Sequence, residues 1–535
     1  MNGHPSSARN PVSCANRIVL VAMAVLIPAE AYIQFVSAFS GDRNWLLYAV
    51  RMMLAGKKLY ADIVEVNPPL ILWLYMAPVE FARWLSLPAA QVLAAFGLAL
   101  AGLSAWMSLR LLAPHPALAR RERHLFALLI FGVFITISPA YFADRESLLL
   151  MFIFPYLMRW IPSLSRLPVP LKLRLAAGAM AGIGFCIKPH AMIVFAALQA
   201  IYILRERSAR ILLSLENGLV YLAAVAYVAA IAAFCPDYVR VVLPMALATY
   251  SAYSMRSGGL LFCAQALLIS GVTFADFRVR DASPYRRDIY YLLGICGAFL
   301  LYALANNGWG YTYSPLVEML LITTGLVGFE FRFLRQQAQG RGENSRRFLF
   351  GLRACAVNLA ANAALCVLFP LYVVLFYCHA QLACDERGRE LTAAVSSAGS
   401  FGTLALVDFD TWPRLADATG AAWQTRFNNL WMLHGFMGGN TAFTRKHQAV
   451  AAYAADALAQ DMERGKPELM IADNVNQFTH RRVDIAGFLS GFPSFRAAWA
   501  HYRFEKGMTH CDSDRAHDAV FAGRHCDYSL YRRIP

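Results

Sequence analysis

GDRNWLLYAVRMMLAGKKLYADIVEVNPP, residues 41–69, decides how the rest of the chain is read. It follows an apolar segment, residues 16–40, and opens on a carboxylate, Asp42, with two more at Asp62 and Glu65. Trp45, Ala49, Met52 and Met53 recur at helical spacing, while Arg43, Arg51, Lys57 and Lys58 fall mostly elsewhere on the wheel. That pattern predicts a helix lying along a membrane surface, apolar side down and cations among the headgroups. Gly56 is a natural stop for it, and Pro68-Pro69 forces an extended entry into the next apolar stretch. Acidic groups held at a membrane surface between hydrophobic anchors point to a lipid-borne substrate.

Working outward, 58% of the 535 residues are hydrophobic and 16% charged, which marks a membrane protein. Apolar segments of spanning length recur from residue 18 to about residue 376. The run 18–36 lacks a small-residue cleavage site and reads as a retained span, not a signal peptide. A net charge of +15 would point to nucleic acid in a soluble chain. Here most Lys and Arg sit in short loops between spans, so topology accounts for the charge and no nucleic-acid partner is expected. The eleven cysteines show no C-x-x-C and no metal-ligand spacing.

Basic clusters at 110–123, 159–174, 205–210, 278–287 and 332–347 are expected on the cytoplasmic side. Eleven spans satisfy this, near 18–38, 89–110, 125–139, 147–160, 174–188, 190–204, 211–234, 258–276, 288–304, 313–331 and 350–376. The N-terminus is then cytoplasmic and the C-terminal region outside. Residues 70–87 are read as a juxtamembrane helix, because counting them as a span would invert the basic loops. The transmembrane domain is expected over 1–377, with a first outer loop at 39–88. From 378 to 535 charges become frequent, and β-like runs at 403–407 and 469–472 alternate with helical stretches such as 444–464, predicting an α/β domain. An oxidising compartment there predicts a Cys511–Cys526 disulfide, with Cys378–Cys384 as a second pair.

Three elements of the first loop carry a family resemblance: D-x-x-x-x-x-Y from Asp42, G-x-x-L-Y-x-D from Gly56, and N-P-P-L from Asn67. Together, after a first span, they resemble the C-type (GT-C) glycosyltransferases, in the protein-mannosyltransferase and aminoarabinose-transferase branch. The resemblance implies the GT-C fold: a polytopic α-helical membrane protein of about eleven transmembrane helices with periplasmic juxtamembrane helices, here followed by a C-terminal periplasmic α/β domain. It also implies a catalytic Asp at the start of the first loop. The chain departs at Arg43, where the family has the Glu of an Asp-Glu pair, and this bears on the metal chemistry.

The candidate residues each admit a plainer account. Asp42 is either a helix cap or the catalytic carboxylate. Asp144 and Glu146, in Ala-Asp-Arg-Glu, are either span-end anchors or, as the resemblance implies, a second catalytic carboxylate. Asp42 and Asp144 would then hold a divalent cation or position and deprotonate an acceptor hydroxyl. Lys188 closes a run containing Gly178, Gly182 and Gly184. It is a snorkelling lysine or, as in the aminoarabinose-transferase branch, a partner for the donor phosphate, with His190 adjacent. Arg256 is an outer basic residue suited to a phosphate or to lipid headgroups. Tyr311 and Tyr313 fit an interfacial aromatic belt or, as the resemblance implies, line with Tyr60, Asp62, Glu65 and Asn67 a substrate pocket.

These expectations combine into an inverting transferase at the periplasmic face of a bacterial inner membrane. It would move sugar from a polyprenyl-phosphate donor to a cell-envelope acceptor, whether lipid, glycan or protein, with membrane lipid as its surroundings. A lipid-linked-sugar transporter or flippase would instead show charges within spans and inverted repeats, neither of which is clear in the sequence. Arg43 keeps open a non-catalytic GT-C relative.

Overall fold

The computed structural model describes residues 28, 31–32, 41–136, 141–250, 258–274, 283–306, 310–341, 351–360, 362, 392–393, 395–396, 403–407, 419–427, 429–433, 435–437, 443–473, 475–476, 481–510 and 526–535. The chain divides into two compact units. One comprises Met1–Phe39, Phe81–Ala226 and Arg256–Leu375; the other comprises Ser40–Glu80, Tyr227–Met255 and Phe376–Pro535.

The helices run, in chain order, α1 (Gly41–Leu54), α2 (Leu70–Leu85), α3 (Ala89–Leu111), α4 (Arg120–Thr136), α5 (Arg145–Arg159), α6 (Leu171–Ile187), α7 (Met192–Glu206) and α8 (Leu215–Phe234). They continue with α9 (Leu243–Thr249), α10 (Gly258–Phe274), α11 (Arg286–Ala305) and α12 (Gly310–Arg341), and residues 351–360 are also helical. Among the described residues each apolar segment expected as a span between 89 and 331 thus contains a helix. Among the described residues α3, α8 and α11 are long and apolar enough to cross a membrane. The chain is a helical membrane protein on that composition.

The first unit is built around α5, buried along its whole length from Arg145 to Arg159. It packs against α3 and α6, while α12 packs against α4, α5 and α11. Close approach needs small residues. A methyl at Gly184 would meet Ile153 Cγ2 at 2.5 Å, and one at Gly182 would meet the Ala223 Cβ at 2.7 Å. Without a hydrophobic drive between helices in lipid, such backbone proximity and interlocking packing hold a bundle together.

In the second unit α1 buries Trp45, Leu46, Leu47, Ala49 and Val50. Its end forms a Schellman turn. Gly56 has φ +92°, its N–H donates to the Met53 carbonyl at 3.0 Å, and the Lys57 N–H donates to Met52 at 3.0 Å. The wheel placed Arg43 among headgroups. The structure instead buries it completely.

The C-terminal part adds β1 (Thr403–Val407), β2 (Ala422–Trp423), α13 (Arg445–Gly465), β3 (Leu469–Asp473), β4 (Val475–Asn476), β5 (Arg481–Arg482), α14 (Ile485–Leu489), α15 (Pro493–Trp499), β6 (Tyr502–His510) and β7 (Cys526–Arg533). The main sheet has the order β2-β1-β3-β7-β6. β1 runs parallel to β2 and β3, with Leu404 opposite Leu469, and β7 lies antiparallel to both β3 and β6. Leu469, Met470, Ile471 and Ala472 are all fully buried, the continuous apolar run of a strand covered on both faces.

Candidate active-site residues

In the first unit the start of α5 gathers several of the expected residues. Ala143 takes φ +60°, and the Asp144 N–H reaches back to the Tyr141 carbonyl at 3.0 Å before the helix begins. Asp144, Arg145 and Glu146 are all buried there. Lys188 leaves the end of α6 with extended φ,ψ (−133°, 111°), and its ammonium donates to a Glu146 carboxylate oxygen. The Arg145 Nε stands 3.9 Å from the other oxygen.

Tyr311, at the start of α12, joins the two cations. Lys188 Nζ lies 5.0 Å from its ring centroid and Arg145 Cζ 5.4 Å, while Tyr141 meets the ring edge-on at 6.0 Å. Cations near an aromatic face are attracted by its quadrupole, more so where water is excluded. The cluster therefore sets two cations on one aromatic ring beside two buried carboxylates, Asp144 and Glu146. Tyr302 of α11, fully buried, interacts with Glu146, Arg145 and Tyr311. Sequence reasoning missed it, since one tyrosine in an apolar helix carries no local mark.

Gly178, Gly182 and Gly184 face neighbouring helices: a methyl at Gly178 would lie 2.9 Å from the Glu216 Cα. In the structure the glycine run brings α6 close to α5 and α8. His190 is exposed in the single turn Pro189–Ala191, and Tyr313 is buried.

In the second unit Asp42 is exposed in the first turn of α1. One turn later the Trp45 indole donates to Glu65, which also accepts from the Asn67 side chain and from its N–H at 2.8 Å. Tyr60, at φ +69°, donates to the Asn67 carbonyl at 2.6 Å. Its phenol is pushed well up by burial and secondarily by the Glu65 charge. Tyr238 stacks obliquely at 5.0 Å and is pushed up to about 12 by the same two causes. Tyr60, Glu65 and Asn67 are thus brought together as one hydrogen-bonded clasp. Asp62 turns elsewhere, accepting from the Lys58 N–H at 3.0 Å and standing 3.7 Å from Arg464 of α13.

Asp42 belongs to one unit and Asp144, Glu146 and Lys188 to the other. Among the described residues no three acidic, His or Cys side chains group as a metal set. Arg256, Cys378, Cys384 and Cys511 lie outside the described residues, as does the side chain of Cys526. One further feature escaped the sequence reading. Glu318 in α12 is fully buried, and among the described residues neither carboxylate oxygen has a hydrogen-bond partner. Glu330 on the same helix accepts from Arg286 at 2.7 Å.

No protein-family model and no curated protein matches the chain. Among solved structures it is similar to the cryo-EM structure of the arabinofuranosyltransferase AftD from Mycobacteria, at 12% identity and a TM-score of 0.44 over 97% of this chain. A mutant structure of that protein gives 12% identity and a TM-score of 0.42, again over 97% of this chain. The chain spans 40% and 42% of those two neighbours' lengths.

Proposed function

We propose that the chain is a GT-C-type glycosyltransferase that moves sugar from a polyprenyl-phosphate donor to a cell-envelope acceptor at the periplasmic face of an inner membrane. The eleven-span topology and an outer C-terminal α/β domain, divided near residue 377, are part of this reading. The observation that carries it is the placing of Lys188 and Arg145 on Tyr311 beside Glu146. Fixed cations shielded from water stabilise charge that develops on a leaving phosphate, each such donor lowering the barrier by about 3–4 kcal/mol.

In the proposed step the bond between the anomeric carbon and the phosphate oxygen breaks as an acceptor oxygen bonds to the opposite face, inverting the centre. The electron pair leaves on the phosphate, towards Lys188 and Arg145. The acceptor proton goes to Asp42, the carboxylate of the first-loop motif. Glu146 holds Lys188 in place.

The test uses protein in proteoliposomes with defined polyprenyl-phosphate sugars, reading release of polyprenyl phosphate. Wild type is expected to release it, and Arg145→Met to slow release by ~10²-fold. Absence of release from every donor overturns the proposal.

Glu318 favours a second reading, a transporter of lipid-linked sugar. An unpartnered carboxyl within a membrane helix is the kind of group on which proton-coupled movement depends. On that reading Glu318→Gln abolishes movement of a labelled lipid-linked sugar between leaflets, and no variant affects phosphate release.

A further inference from the structure

The C-terminal part of the second unit holds the first loop directly. Arg426, just beyond β2, is gripped by Asp461 near the end of α13. Its Nε lies 3.0 and 3.1 Å from the two carboxylate oxygens, and its Nη2 lies 2.8 Å from one of them. Its backbone N–H donates to the same carboxylate at 2.9 Å, and Gln460 accepts from Nη2 at 3.2 Å. The Arg426 carbonyl, fixed by this grip, accepts the Val64 N–H at 2.7 Å, and Val64 pairs with Phe427 in a parallel bridge. Ile63, Val64 and Phe427 are buried at the join.

The chain of contacts continues from there. Val64 precedes Glu65, Glu65 is tied to Trp45, and Trp45 stands one helical turn from Asp42. A planar guanidinium held at Nε and Nη2, with its own backbone N–H on the same carboxylate, has little rotational freedom. We propose that Arg426 is a positioning residue: locked by Asp461, it sets the first-loop clasp through Val64 and thereby where Asp42 stands. This rests on the reading that Asp42 takes part in transfer, and it assigns the C-terminal domain a role in that reaction.

The test measures two things on the full-length protein in detergent. The first is hydrogen–deuterium exchange at the Val64 amide, which reads the clasp without any activity. Arg426→Lys keeps the charge but loses the fork, and is expected to speed that exchange by ~10-fold. The second is transfer kinetics, where a displaced acceptor-side carboxylate lowers kcat by about 10- to 100-fold with the donor KM unchanged. If Arg426 works through Asp42, its effect on kcat disappears in an Asp42→Asn background.

Asp461→Asn is expected to behave as Arg426→Lys does, and serves if the latter does not fold. Unchanged exchange at Val64 overturns the clasp. Faster exchange with a kcat loss that persists in the Asp42→Asn background overturns the route through Asp42. Wild type that transfers no sugar overturns the functional reading and the role of Asp42 with it, while the exchange still decides whether Arg426 holds the loop.

Discussion

Lys188 and Glu146, 42 residues apart in sequence, form a buried ion pair, the ammonium donating to one carboxylate oxygen. Removing one partner of such a pair strands the other charge in the interior, at about 3–5 kcal/mol. Lys188→Met alone is therefore expected to lower the melting temperature markedly, and Lys188→Met with Glu146→Gln to recover most of the loss. Thermal unfolding in detergent reads both. Equal stability of the single and double variants would show that the Glu146 carboxylate carries no penalty when its partner is removed. The double variant is also the one in which loss of donor chemistry is read free of loss of fold.

Asp42 separates stability from chemistry. It is exposed inside the first turn of α1 and not at its cap, where a carboxylate is worth only about 0.3–1 kcal/mol against the helix dipole. Asp42→Asn should keep the melting temperature of wild type while transfer falls by ~10²-fold, as expected on removing an acid–base group. Initial rates and melting curves on the same preparation decide it. Near-normal transfer would leave Asp42 as a first-turn charge facing the helix dipole.

Gly184 tests the packing of α6. Its missing methyl would fall 2.5 Å from Ile153 Cγ2 and 2.9 Å from the Phe152 Cβ, inside the fully buried α5. Gly184→Ala is expected to destabilise by about 1–3 kcal/mol, as overpacking does. Gly218, whose added Cβ would meet nothing within 4 Å, is the control. If Gly184→Ala and Gly218→Ala melt alike, the close approach of α5 and α6 is not what the glycine serves.

The second unit should weaken in alkali. Burial holds the Tyr238 phenol up to about 12 and that of Tyr60 well up, against ordinary values near 10. Their contribution is fully present below pH 10, where folded and unfolded chains both keep the proton. Above it only the unfolded chain releases the proton, so stability falls by about 1.4 kcal/mol per pH unit for each phenol until the folded value is reached. Tyr238→Phe should flatten the loss between pH 10 and about 12, measured by denaturation at stepped pH. An unaltered slope would mean that Tyr238 already titrates near its ordinary value in the folded protein.

Much of the architecture was legible because it depends on short-range pattern. The apolar segments between 89 and 331 became helices, Gly56 ended α1, and the runs at 403–407 and 469–472 became β1 and β3. A helix or strand declares itself through the spacing of its own side chains, and a turn through the one residue that tolerates positive φ. The site was legible only as a list of residue types. Asp144, Glu146 and Lys188 stood out as polar groups at helix ends, but nothing local said that Lys188 would take Glu146 as its partner.

By itself the sequence determined a membrane protein, the helical segments between 89 and 331 and a first loop marked by Asp42, Tyr60 and Asn67. Only the tertiary structure decided that Glu65 binds Trp45, that Arg43 is buried, that Arg426 locks onto Asp461 and that Glu318, among the described residues, has no hydrogen-bond partner. The reason is one of range. Periodicity fixes which face of an element is apolar, whereas a buried charge finds its partner only when two elements, tens of residues apart, bring particular faces together.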